Sequence, residues 1–175
     1  MKSKSKKSLK ARSSGKSPVR KASDESDITE LMLRDHKPLK RLIKTMKDTD
    51  ASIFDVRVTF EQFAPLLEAH AKPEEESLYE WLTSDEEDLR VEGFEGKTEH
   101  AIADQLAKEI QNSGEGDEFR ARVKVLAELV EQHLKEEEDA LIPVLRKKVD
   151  LEERVRMGRH YTELRSSFRV DEKAA

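Results

Sequence analysis

Four of the five histidines in this chain stand in a repeated arrangement with two glutamates. His36 is followed 34 residues on by His70, with Glu74 four positions further; His100 is followed 33 residues on by His133, with Glu137 four positions further. The surroundings repeat as well. The run from His70, HAKPEEESLYEWL, aligns with that from His133, HLKEEEDALIPVL, and DHKPLKRL around His36 aligns with EHAIADQL around His100. On a helix, residues four apart lie one above the other, so each HxxxE pair offers an imidazole nitrogen and a carboxylate to one point in space. Two such helices, each with a partner helix carrying one more histidine, describe a dinuclear metal site inside a four-helix bundle. Imidazole and carboxylate without thiolate suit iron, manganese or zinc. A single structural zinc takes four ligands, whereas six or seven donors suit two ions. Glu74 and Glu137 are the candidate bridges, because one carboxylate can bind two ions and a neutral imidazole cannot. His36 and His70 would then serve one ion and His100 and His133 the other, leaving open positions where O2, NO or peroxide bind.

The elements that must carry these donors are legible as stripes. Asp27 and Glu30 have the D-x-x-E spacing of a capping box, and behind them Met32, His36, Leu39, Ile43 and Met46 recur at helical steps. Val56, Phe60, Phe63, Leu67, His70 and Glu74 form a second stripe, and Phe119, Val123, Leu126, Val130, His133 and Glu137 a fourth. The third segment, about 98–111, sets His100, Ala103, Ala107 and Ile110 on one face with Asp104 beside them. The acidic, glycine-containing run TSDEEDLRVEGFEGK is predicted to connect the second and third helices, and NSGEGD the third and fourth. A second D-x-x-E, Asp150 with Glu153, starts a final helix that carries Leu151, Val155 and Leu164 and is laid against the bundle. Pro38, Pro65 and Pro73 fall inside the periodic segments, where each removes a backbone hydrogen bond. The predicted class is all-α: an up-down four-helix bundle over 25–168 with an additional C-terminal helix, a disordered basic tail over 1–24 and a flexible tail over 169–175.

The motif order H…HxxxE…H…HxxxE over about residues 28–146, together with Pro143 ten positions after His133, resembles the hemerythrin-like, or HHE cation-binding, family. That resemblance implies an up-down bundle around two non-heme iron ions bridged by oxide or hydroxide. It implies roles in binding or sensing O2, NO or peroxide, or in iron-centre repair. Repair proteins of this kind often carry a cysteine-bearing N-terminal module, which weakens that role for a chain without cysteine. The family often has a further histidine four residues after the third-helix histidine, where this chain has Asp104. The set implied is therefore His36, His70, Glu74, His100, His133 and Glu137, with Asp104 either a carboxylate ligand or a surface partner of Lys108. Alternatives are a di-iron enzyme consuming peroxide or O2, and a zinc-filled bundle used for interaction. Whether the chain is an enzyme is not decided by these residues, and no catalytic residue is assigned.

Burying two carboxylates without a cation costs several kcal/mol each, and Lys37, Lys40, Lys72 and Lys135 lie off the stripes, where they reach solvent. Glu75, Glu76, Glu136, Glu138 and Asp139 are predicted on a solvated face. Asp35 and Glu99 precede ligand-type histidines and are candidate acceptors for their ring N–H groups. Tyr79 and Trp81 are read as core packing, and His160 as lying outside the repeat.

Composition narrows the remaining classes. A length of 175 residues suits one domain, and no apolar run approaches the roughly 20 residues of a membrane span. The absence of cysteine excludes disulfides, thiolate catalysis and cysteine-ligated iron–sulfur clusters within the chain, and a cytoplasmic location is the expectation. Charged residues make up 41 % and aromatics 5 %, a balance that favours charge-laced helices over strands. Residues 1–22 hold nine Lys or Arg and no acid; the other 24 basic and 38 acidic residues leave the body at −14. Such a tail could hold nucleic acid or an anionic surface by charge, or simply solubilise the chain and meet the acidic body. No nucleophile triad, phosphate loop or dinucleotide fingerprint is present, and no protein partner is indicated.

Overall fold

In the computed structural model, residues 26–84 and 87–168 are described. The tails expected over 1–24 and 169–175 lie outside them. Four long helices run up and down: α1 (Ile28–Lys47), α2 (Ile53–Glu74), α3 (Arg90–Gln111) and α4 (Asp117–Glu136), followed by α5 (Leu151–Arg165). The described residues contain no strand, so the all-α bundle with an added C-terminal helix is what the chain forms. α1 packs on α2 and α4, α3 packs on α4, and α5 lies across α1 and α2. No described helix is long and apolar enough to cross a membrane.

The helix starts follow local chemistry, with one correction. Asp27 caps α1, but its carboxylate accepts from the backbone N–H of Thr29 at 2.9 Å. Glu30 does not complete the box; it pairs with Arg146 at 2.7 Å. Ser52 caps α2 by accepting from the Asp55 N–H at 3.1 Å, and Asp150 caps α5 by accepting from the Glu153 N–H at 2.9 Å. Gly116 opens α4 at φ 127°, a conformation that side-chain-bearing residues rarely take. Pro38, Pro65 and Pro73 interrupt neither α1 nor α2, which continue through them.

Two departures bear on the site. The acidic run expected as a connection is largely helical: α2 continues through a π-helical turn, Glu75–Tyr79, and a further α segment, Glu80–Ser84; a 3₁₀ turn, Glu87–Leu89, then leads into α3. The glycines that made this stretch read as a loop instead let it pack. A Cβ at Gly93 would lie 2.9 Å from Leu82 Cβ, and one at Gly96 only 2.4 Å from the Tyr79 ring. α4 likewise passes through a π turn, Glu137–Leu141, before the α segment Ile142–Lys148. Single π turns within α-helices gather at functional sites, and here each begins at or one residue after a glutamate of the repeat.

The core is split in two. One cluster, including Leu39, Phe60, Phe63, Phe119, Leu126 and Val130, fills the half toward the α1–α2 loop. The other, including Met32, Leu78, Tyr79, Leu145 and Tyr161, fills the opposite half. The histidines and glutamates of the repeat form the polar layer between them.

Candidate metal centre

His36 comes from α1, His70 and Glu74 from the end of α2, His100 from α3, His133 from the end of α4 and Glu137 from the turn that follows. All six are buried, none more than 4 % exposed. The apolar stripes deliver them: each lies at the register where its stripe passes from one core cluster to the other.

All four Nε2 atoms point inward. His36 Nε2 lies 3.2 Å from Glu137 Oε2 and His133 Nε2 lies 3.3 Å from Glu137 Oε1. His70 Nε2 and His100 Nε2 lie 3.4 and 3.7 Å from Glu74 Oε2. The rings form two close pairs, His36 with His70 at 5.1 Å between centroids and His100 with His133 at 4.6 Å, while His70 and His100 stand 6.3 Å apart. Each glutamate therefore spans both pairs: Glu137 reaches His36 and His133, and Glu74 reaches His70 and His100. Two donor groups, His70/Glu74/His100/His133 and His36/His70/Glu137, converge closely enough for each to hold a metal ion.

The outward Nδ1 atoms meet acids or a tyrosine. His36 Nδ1 donates to Glu138 at 2.9 Å, and His133 Nδ1 donates to Glu99 at 2.6 Å. His100 Nδ1 faces Glu75 at 3.4 Å. His70 Nδ1 lies 3.4 Å from the Tyr161 hydroxyl, which donates to Asp35 at 2.7 Å. Outer carboxylates of this kind fix the tautomer that leaves Nε2 free for a cation. Glu99 is an acceptor as expected, but for His133 and not for the His100 it precedes; Asp35 accepts from no histidine and instead takes the Tyr161 hydroxyl that lies beside His70. Glu75 and Glu138, expected on a solvated face, are instead turned inward at the start of the π turns. Their signal in the sequence is the doublet Glu74–Glu75, repeated as Glu137–Glu138. Tyr79 is more than core packing, since its hydroxyl donates to Glu137 Oε1 at 2.5 Å. Tyr161 has no counterpart in the repeat; nothing but its buried place on the inner face of α5 marks it.

Asp104 is not in the cluster. It sits on the outer face of α3, where Lys108 donates to it at 2.6 Å. Asp104 lies one helical turn beyond His100 but is part-exposed and paired with Lys108, and neither group of converging donors among the described residues includes it. Asp104→Asn is expected to leave metal content and spectra unchanged, with a melting temperature within about 2 °C of wild type; differential scanning calorimetry and metal analysis check this. His160 is exposed on α5.

The donor set is short of positive charge. Buried polar atoms without a hydrogen-bond partner include His36 Nε2, His70 Nε2, both carboxylate oxygens of Glu74, and Glu137 Oε2. Such atoms cost about 1–3 kcal/mol each when left unmet, and a pair of cations would satisfy them together. Burial, reinforced by the charge of Glu137, pushes Glu74 well above the usual carboxylate range. Glu137 is held well below that range because His133 and His36 outweigh the opposing effect of burial. Burial works against a charge on His133, yet Glu137 and Glu99 carry it up to about 11. His70 is pushed well down by burial and by His36, and burial lowers His100 as well. The protonated His133 Nε2 can therefore donate to the neutral His100 Nε2, 2.9 Å away.

One side of the cluster opens outward. A cavity of about 250 Å³ between α3 and α4 has Tyr79, His133 and Glu137 at its floor and Leu89, Leu141 and Val144 in its walls.

Residues 27–145 match the family model of the hemerythrin HHE cation binding domain. No curated protein and no solved structure gives a significant match. With the match spanning most of the described bundle and the buried His/Glu cluster at its centre, the chain belongs to the hemerythrin HHE cation-binding family.

Proposed function

We propose that the protein holds two non-heme iron ions and uses them to bind or sense a small molecule such as O2, NO or peroxide. The observation that carries this reading is the straddling of two histidine pairs by both glutamates, with all four Nε2 atoms turned inward. His36 and His70 would hold one ion, His100 and His133 the other, and Glu74 and Glu137 would bridge them. When bound, the iron pair supplies redox-active positions for a diatomic or peroxide. The protein's own residues orient and exclude. Glu138, Glu99, Glu75 and the Tyr161–Asp35 pair steady the imidazoles, the two apolar clusters keep bulk water from the layer, and the cavity between α3 and α4 admits only a small guest. Tyr79, whose hydroxyl burial keeps well above its ordinary pKa, retains its proton beside Glu137 at the cavity floor. That proton favours turnover of peroxide or O2 as a second reading.

Ultraviolet-visible spectra of the anaerobic Fe(II)-loaded protein, before and after O2, test the proposal. A charge-transfer band that appears with O2 and is reversed by removing it supports binding; one that recurs through repeated peroxide additions, with peroxide consumed, supports turnover. A protein that takes up zinc and shows no band with iron sinks both.

Metal binding should also release protons. His133 Nε2 must lose its hydrogen to ligate, and its metal-free pKa of about 11 lies above the whole physiological range. Affinity is therefore expected to rise with pH between 6 and 8, by about tenfold per unit for each proton released. Calorimetric titration with Co(II) in buffers of different ionisation enthalpy counts those protons; a pH-independent affinity would contradict the assignment of His133.

A further inference from the structure

The four outer acids are not equivalent. Glu138 is paired with Lys40 at 2.7 Å, Asp35 with Arg165 at 2.5 Å, and Glu75 with Lys72 at 3.1 Å. Glu99 accepts from His133, and among the described residues no lysine or arginine pairs with it. Glu99 also lines the cavity between α3 and α4, where its neighbours are Glu92, Glu95 and Glu136. Glu99 is itself paired with the His133 ring at 2.6 Å, but Glu92, Glu95 and Glu136 add three carboxylates that no lysine or arginine pairs with among the described residues, so this side is negative. At the cavity floor lies Glu137, 3 % exposed, with Oε2 lacking a hydrogen-bond partner.

We propose that this cavity is the path by which a divalent cation reaches the centre, drawn by Glu92 and Glu95 at the mouth and passed along Glu99 to Glu137; the proposal rests on the metal-binding reading above. Negative charge around an opening with low-dielectric walls focuses the field and raises the local concentration of cations, which speeds association by about 10-fold or more. The walls here are Leu89, Leu141 and Val144. Glu92 and Glu95 are exposed and belong to neither group of converging donors, so they act on arrival and not on the bound state.

Stopped-flow uptake of Co(II) by the metal-free full-length protein, followed by visible absorption, tests this. Glu92→Gln/Glu95→Gln is compared with Glu61→Gln/Glu68→Gln, which removes the same charge from exposed positions on α2. The mouth variant is expected to take up Co(II) about tenfold more slowly at low salt, with the gap closing as salt rises. The α2 variant should lose less than about twofold, and all proteins should reach the same final spectrum and ion count. Ala140→Trp, at an exposed position of the cavity lining, should slow uptake at every salt concentration by obstruction. Equal rates in the two double variants, with normal loading, overturn the path while leaving the centre intact. Wild-type protein that binds no Co(II) overturns the metal-binding reading and this one with it.

Discussion

Loading the protein with two divalent ions is expected to raise its melting temperature by about 15–30 °C. An ion at a free concentration a thousand times its Kd stabilises the folded state by about 4 kcal/mol, so two give about 8 kcal/mol. A domain of this size shifts by about 2–4 °C per kcal/mol. The large effect has a structural source. Without metal, the fold must bury four imidazoles and two carboxylates in a layer where five of their inward atoms lack hydrogen-bond partners. Thermal unfolding of chelator-treated and Fe(II)- or Co(II)-loaded protein measures the shift. A change below about 3 °C would mean that the layer is complete without cations.

The second large effect has opposite signs in the two states. Glu74 is fully buried, with neither carboxylate oxygen hydrogen-bonded, and burial pushes its proton affinity well up. Glu74→Met removes those unmet acceptors and keeps the volume, so the metal-free variant should be more stable than metal-free wild type by about 1–3 kcal/mol. The same change removes a bridge between the histidine pairs, so at least one ion per chain and most of the metal-induced stabilisation should be lost. Urea unfolding with and without Co(II) reads both halves. A metal-free variant less stable than wild type would show that the carboxylate holds the fold for its own sake, and undiminished metal content would remove it from the ligand set.

These residues also show what could be read ahead of the structure. The stripes that end in His70 and Glu74, and in His133 and Glu137, are dictated by burial: their apolar positions have no alternative but the core, and the donors follow in register. That accounts for the bundle, the six inward residues and the antiparallel order. What the stripes could not convey lies where the backbone leaves the regular helix. The π turns at Glu75–Tyr79 and Glu137–Leu141 change the rotation of the chain locally, so Glu75 and Glu138 swing toward histidines that regular spacing would have them miss. Gly93 and Gly96 have the composition of a loop, yet their missing side chains admit Leu82 and Tyr79 against a continuous helix. Asp104 illustrates the opposite limit. A family position names a place on α3, but only packing decides whether a shorter acidic side chain there reaches the centre, and here Lys108 takes it on the outer face.

The central claim is a dinuclear centre, and the number of iron ions per chain tests it most directly. After anaerobic loading with Fe(II) and removal of free metal, elemental analysis against protein concentration should give two iron ions per chain for wild type and no more than one for His70→Ala or His133→Ala. A wild-type value of one or none, or unchanged content in both variants, would contradict the account.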